Sequence, residues 1–395
     1  MGNWSRPANY PCMREPAVAI AGCGAISAAG CGLDPLENAL RDNLCGLRDS
    51  KKFSSPRFQS NLVGAAPRDP GSDDPAWLLA SEALKQASEA ARAATNKIPA
   101  EKTALILSTT KANIEALEWK MAGLPCSEAA SRHLRANLLA EDLAKEFGVR
   151  GPVQTVSVAC VSGLVAIWQG VKLIQRGDAD AVFVVGVDCL SEFVVAGFTA
   201  LKAIDPLGCR PFDAARHGLS PGEAGAAVVL TRADLVPQTA ITLRGFGASN
   251  DANHLTGPSR DGSGLAQAIR VALDSAKLSV GDIDFIQAHG TGTSYNDTME
   301  SLALKTIFGD ACPPVSGSKG ILGHTLGAAG VIETIICRLA MQGKFLPGTP
   351  GLTDPDKGAP KSLVRESRAA VRIKNVLKLN TGFGGMNGAL ILSHE

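Results

Sequence analysis

Few residues of this chain can act as nucleophiles or handle protons near neutral pH: ten cysteines and six histidines in 395 residues. Cys160 is distinguished by its place. The apolar run Val153–Val158 leads into it, and Val161, Leu164, Val165, Trp168 and Val171 follow with helical spacing. A thiol where a strand ends and a helix begins faces the positive end of the helix dipole, which favours a nucleophilic thiolate. The competing reading is a core cysteine, because free Cys is among the most buried residue types. His289 closes an apolar strand and opens Gly290-Thr291-Gly292-Thr293. Small residues there let a substrate approach the backbone, and the hydroxyls offer hydrogen bonds. His324 stands in Gly323-His324-Thr325-Leu326-Gly327, five residues after Lys319. Taken singly, each histidine also fits a structural role.

One cysteine and two histidines could form a metal site. Zinc sites favour short paired spacings such as CxxC; this chain has no CxxC, and the three candidates lie more than thirty residues apart. Covalent acyl chemistry fits them better. The turn Asn380-Thr381-Gly382-Phe383-Gly384-Gly385-Met386-Asn387-Gly388 has neither a Walker pattern nor a GxGxxG opening a helix, so its flexibility and lone Phe383 suggest a gate.

The elements that must position these residues occur as a repeated layout. Val153–Val158, Cys160 and the helical pattern after it form one strand–turn–helix unit. Val315, the turn through His324, and the helical pattern of Ala328, Val331, Ile332, Ile335 and Leu339 form a second. Further strands are expected at Ala17–Ala21, ending at Gly22-Cys23-Gly24, and at 103–107, 181–187, 226–230, 241–246, 283–288, 376–379 and 389–392, with a helix over 79–95. Such alternation favours mainly parallel sheets covered by helices, with ligands at the crevice beyond the strand ends. The halves are drawn at 17–240 and 241–395, after a loose extension over 1–16. The stretches 348–367 and 250–264 read as loops.

The balance of 39 Lys and Arg against 38 Asp and Glu gives no overall field for nucleic acid or a membrane surface. Neither a secretion signal nor an uninterrupted apolar stretch of about 20 residues is seen. A soluble cytoplasmic protein with reduced thiols is expected.

The segments Val158-Ala159-Cys160-Val161-Ser162-Gly163, His289-Gly290-Thr291-Gly292-Thr293, Ser318-Lys319, Gly323-His324 with Gly327-Ala328-Ala329-Gly330, and Gly382-Phe383-Gly384-Gly385 resemble, in order and spacing, the elongating β-ketoacyl-ACP synthases. Cys209-Arg210-Pro211-Phe212-Asp213, Pro221-Gly222-Glu223 and Asn250–Thr256 add to the likeness, which runs from about Ala17 onward. It implies an α/β, thiolase-like fold of five αβαβα layers built from two similar halves. The activity implied is a decarboxylative Claisen condensation between an acyl group on Cys160 and malonyl-ACP, without a metal or other cofactor. Its partners would be acyl carrier protein and, in the dimer, a second copy or a chain-length-factor-like subunit. The alternative is a silent scaffold subunit of such a heterodimer.

By the same resemblance, Cys160, His289, His324 and Lys319 are the catalytic set, and the backbone N–H groups of Cys160 and Phe383 form the oxyanion hole. Thr291 and Thr293 bind pantetheine, Phe383 gates the acyl chain, and Arg210 contacts the carrier protein. Lys319, beside His324 and paired with Glu300, keeps that imidazole neutral. Thr381 and Met386 depart from the familiar pattern, the 112–151 stretch is short, and Trp168 is bulky. These departures point to an altered acyl tunnel, as in specialised lipid or polyene pathways.

Overall fold

A computed structural model describes residues 15–69, 71–370 and 372–394; the extension expected over 1–16 lies outside them except for Glu15 and Pro16. The first strand, β1 (Val18–Ser27), runs past the glycines expected to end it. Gly22 and Gly24 lie under helix α1 (Pro75–Thr95), where a Cβ would stand 2.3 Å from Ala87 O and 2.1 Å from Ala83 O. They are close-packing sites, and α1 presents a matching face of buried alanines, Ala76, Ala80, Ala83, Ala87 and Ala91. Asp74 starts that helix by accepting the Trp77 N–H, with Pro75 in the first turn.

Besides the short strand Gly30–Cys31 paired with β1, four more strands of the first half join the sheet: β2 (Thr103–Ser108), β3 (Val153–Val156), β4 (Ala181–Asp188) and β5 (Ala224–Arg232). The second half contributes β6 (Thr242–Asn250), β7 (Phe285–Gln287), β8 (Val315–Ser316), β9 (Asn375–Gly382) and β10 (Met386–Ser393). Their spatial orders are β3-β2-β4-β5-β1 and β8-β7-β9-β10-β6. Each half therefore uses its third, second, fourth, fifth and first strands in that order, which is a structural duplication. The two arrays join where β1 and β6 pair antiparallel, Val18 with Leu243 and Ala19 with Thr242.

Among these ten strands, only the outer pairings, β2 with β3 and β4, and β7 with β8 and β9, are parallel. The others are antiparallel, so the expectation of mainly parallel sheets is corrected. Strands covered on both faces read as unbroken apolar runs whichever way their neighbours point. β4, buried at all eight residues, is an example.

Five layers result. Helix α1 and helix α2 (Ala136–Glu146) cover one face of the first array; helices α5 (Ser263–Ala276) and α6 (Ser294–Phe308) cover the outer face of the second. Between the arrays lie α3 (Ser162–Gln175) and α7 (Ala329–Gly343). These cross at a point of backbone contact: a Cβ on Gly163 would meet Val331 N at 2.7 Å, and one on Gly330 would meet Leu164 N at 2.4 Å. A further helix, α4 (Glu192–Ala200), stands at the crevice mouth. The stretch Leu326–Gly343 is apolar and long enough to cross a bilayer, but 83% of it is buried as part of the central layer.

The stretch 348–367 has no helix or strand, as expected, but it is anchored. Asp213 Oδ2 accepts from Thr353 N, Thr353 Oγ1 and Asp354 N at 2.8–2.9 Å.

Candidate active site

Cys160 sits on the turn between β3 and α3. Ala159 holds a left-handed φ of +47°, uncommon for a residue with a Cβ, and Ser162 locks the turn by accepting from Val158 N (2.7 Å) and donating to Ala159 O (2.6 Å). The thiol is half-buried and lines a cavity of 1080 Å³. Burial pushes it up to about 12, although the cations of Lys319 and Lys111 pull the other way. The resting group is therefore a thiol, not the thiolate expected from the helix terminus, because burial disfavours the charged form.

The repeated layout brings both histidines to the same cavity, with ring centroids 5.2 Å apart and planes crossed at 78°. His289 Nδ1 lies 3.2 Å from Lys319 Nζ and 2.9 Å from Asn380 Nδ2. His324 Nδ1 accepts the Leu326 N–H at 3.2 Å. Each Nδ1 thus faces donors, which places the ring proton on Nε2. Burial first, then the charge of Lys319, holds both rings well below the ordinary 6.5, so both are neutral near pH 7.

One ligand atom from each of Cys160, His289 and His324 lies within 4.8 Å of the others, a spacing that would admit a metal. The Nδ1 environments argue against one: a metal-ligating histidine normally donates its other N–H to an acceptor, and here both Nδ1 atoms meet donors.

Lys319 does not pair with Glu300. Its ammonium binds Glu333 Oε1 at 2.6 Å and the His289 carbonyl, so it touches His289 directly, and its charge also reaches His324. Lys378 Nζ meets the other Glu333 oxygen at 2.9 Å, and Asn380 Nδ2 donates to it at 3.1 Å. This buried Lys319–Glu333–Lys378–Asn380 cluster backs the His289 ring. Burial alone would raise Glu333, but the two lysines more than offset it and hold its carboxyl low. Glu300 instead accepts the backbone N–H groups of His289 (2.6 Å) and Gly290 (2.9 Å), fixing the turn. Burial raises it to about 7 despite those bonds.

Thr291 and Thr293 line the cavity with their hydroxyl oxygens 2.9 Å apart, and Asp297 Oδ1 accepts the Thr291 N–H at 3.0 Å. Phe383 stands at the mouth, 42% exposed, with its ring 6.1 Å from that of Phe198 on α4. A Cβ on Gly382 would lie 3.2 Å from both Ala159 Cβ and Cys160 N, so this glycine lets the Phe383 loop reach the Cys160 amide. Arg210, expected to meet a carrier protein, is 20% exposed, and its guanidinium meets the buried Asp205 at 3.0 Å. Trp168 stacks on Phe246 at 5.3 Å and does not line this cavity.

Sequence reasoning missed Glu333, Lys378, Asn380, Lys111 and Asp188. Single charges inside apolar runs, Val331-Ile332-Glu333 and Leu377-Lys378-Leu379, were the available signal.

The β-ketoacyl synthase N-terminal domain matches residues 15–235 and the C-terminal domain 240–353. A putative polyketide β-ketoacyl synthase 1 of Streptomyces halstedii is 32% identical across 95% of this chain and 97% of its own length. The 3-oxoacyl-acyl-carrier-protein synthase 2 of Coxiella burnetii is 29% identical over 96% of this chain and 99% of its own. Among solved structures, the ishigamide ketosynthase/chain length factor superimposes with a TM-score of 0.89 at 30% identity, covering 96% of this chain and all of that one. A ketosynthase in complex with its chain length factor from Xenorhabdus doucetiae gives 0.84 at 29%, covering 98% of this chain and all of that one. The chain belongs to the β-ketoacyl synthase family, acyltransferases with a thiolase-like fold that make carbon–carbon bonds.

Proposed function

We propose that Cys160 takes an acyl group from a carrier-protein phosphopantetheine thioester and that a malonyl thioester then extends it. The observation that carries this reading is the convergence of the Cys160 thiol with two neutral imidazoles, both with Nδ1 turned to donors, in one cavity.

In the first step the sulfur attacks the thioester carbonyl. The oxyanion lies against the N–H groups of Cys160 and Phe383, a contact worth about 3 kcal/mol per donor. The pantetheine thiol leaves, taking up the proton that Cys160 gives away. In the second step the malonyl C–C bond breaks, carbon dioxide departs, and the electron pair forms an enolate whose oxygen receives the Nε2–H groups of His289 and His324. The enolate carbon attacks the acyl-Cys160 carbonyl; the sulfur leaves as thiolate and regains a proton.

Lys319, Glu333 and Asn380 keep His289 neutral and oriented. Thr291 and Thr293 hydrogen-bond the pantetheine amides, and Phe383 against Phe198 gates the acyl chain. Substrates arrive on phosphopantetheine, so the scheme uses no metal or nucleotide. The chain acts in the cytoplasm with an acyl carrier protein, as a dimer with a second copy or with a chain-length-factor-like subunit, in fatty-acid, polyketide or specialised lipid and polyene synthesis.

Incubation with acyl-ACP and malonyl-ACP is expected to give an acyl adduct on Cys160, carbon dioxide and a β-ketoacyl product, all lost in Cys160→Ala. Loading without carbon–carbon bond formation would reduce the protein to an acyltransferase or hydrolase. Product surviving in the Cys160→Ala assembly would make the chain a silent partner subunit.

A further inference from the structure

The cavity holds a cation that the condensation chemistry above does not use. Lys111 follows the C-terminal end of β2, where ligands meet sheets of this kind, and lines the cavity together with Cys160. Its side chain is 12% exposed. Among the described residues the ammonium has two partners, Thr110 Oγ1 at 2.7 Å and Asp188 Oδ1 at 3.2 Å.

Asp188 is fully buried and well supplied with donors: Thr109 Oγ1 (2.9 Å), Thr110 N (3.0 Å), Thr110 Oγ1 (2.8 Å), Lys111 N (3.2 Å) and Gly327 N (2.7 Å). The carboxylate therefore fixes where the Lys111 ammonium sits. An ammonium carries three N–H donors, of which one goes to Thr110 Oγ1 while Asp188 Oδ1 holds the charge as an ion-pair partner. A further N–H remains for the cavity. The charge lies near enough to Cys160 to counter part of the burial that raises its thiol.

A saturated acyl chain on Cys160 would strip water from that N–H and replace it with methylene groups, leaving a donor without a partner. An oxygen on the acyl chain close to the thioester would accept it. We propose that Lys111 is a specificity-determining residue that donates its remaining N–H to an oxygen at C3 of the acyl group on Cys160, selecting 3-oxoacyl over saturated chains. This rests on the reading of Cys160 as the acyl acceptor.

The test is the loading half-reaction, followed by intact-protein mass spectrometry on the full chain in its native assembly, with 3-oxohexanoyl- and hexanoyl-pantetheine as probes and no malonyl donor present. The wild type loads the 3-oxo thioester at least about 10-fold faster, the discrimination expected when a site donor is left unpaired by the wrong substrate. In Lys111→Met that ratio falls by about 10-fold or more, and Lys111→Arg, which keeps a donor, restores part of it. Equal loading of both thioesters by the wild type overturns the proposal without any variant being needed. An equal fall for both in Lys111→Met, leaving the ratio intact, overturns it as well, because the lysine would then act on the thiol. If the wild type takes up neither thioester, it is the assignment of Cys160 as acyl acceptor that fails.

Discussion

At the scale of single residues, the site depends on charges that never meet substrate. Glu333 stands between two buried ammonium groups, Lys319 at 2.6 Å and Lys378 at 2.9 Å. Removing one partner of a buried ionic cluster leaves uncompensated charge, which typically costs about 3–5 kcal/mol. Glu333→Gln should lose stability on that order in urea unfolding, and adding Lys378→Met should recover part of it. Recovery separates charge imbalance from lost packing. The two imidazoles make a different prediction. Because burial and Lys319 hold both well below 6.5, malonyl decarboxylation should stay flat between about pH 5.5 and 7.5. A titration step near 6.5 in the rate profile would show that an imidazole charges in that range.

Glu300 allows a linkage test with a defined sign. Its carboxyl is raised from the ordinary 4.5 to about 7, so the fold holds its proton more tightly than the unfolded chain does. The stability this contributes is fully present below 4.5 and is lost as pH rises through about 7. Glu300→Gln lacks that dependence. The melting temperature of the wild type minus that of Glu300→Gln should therefore fall as pH rises from about 5 to 8. A difference that stays constant or grows contradicts the raised carboxyl.

At the scale of elements, placement depends on glycines that allow backbones to touch. The crossing of α3 and α7 at Gly163 and Gly330 sets the distance between the nucleophile's helix and the helix that follows His324. A methyl group at Gly330 meets backbone atoms, Leu164 N at 2.4 Å and Gly163 C at 2.8 Å, rather than the end of a flexible side chain. Gly330→Ala should cost about 1–3 kcal/mol or more, read as a lowered midpoint in calorimetry. Gly197 in α4, where a Cβ would meet nothing within 4 Å, serves as the control for a helical Gly→Ala change without the clash. The same principle explains why β1 runs through Gly22 and Gly24. In the sequence they read as a turn; in the fold they are where α1 lies against the sheet.

At the scale of the whole molecule, the two halves are not independent. Their first strands pair, and the central layer takes one helix from each. One cooperative transition is expected. Tryptophan fluorescence does not report the second half, since Trp4, Trp77, Trp119 and Trp168 all precede residue 240, whereas far-UV circular dichroism reports both. The two probes should give coincident urea curves. Separate midpoints would mean that the halves unfold apart.

How much of this was legible in the chain differs by kind of feature. Cys160, the two histidines, the threonine pair and Phe383 sit in turns whose glycines and small residues are themselves recognisable, so motif and spacing located them. The duplication was visible as two strand–turn–helix units. Strand direction was not, because strands buried on both faces carry the same apolar run in parallel and antiparallel pairings. Nor was the protonation state of Cys160, which local placement beside a helix terminus made a thiolate and burial made a thiol. The partners of Lys319, and the presence of Lys111 and Asp188 in the cavity, were decided only by folding. Hydrogen bonds and ion pairs such as Lys319–Glu333, Lys378–Glu333 and Asp188–Gly327 join residues 14, 45 and 139 positions apart. The sequence by itself determines which chemical groups the turns present, because turn geometry is local. Tertiary structure decides their charge and partners, because desolvation and Coulomb interaction depend on what lies nearby in space rather than along the chain.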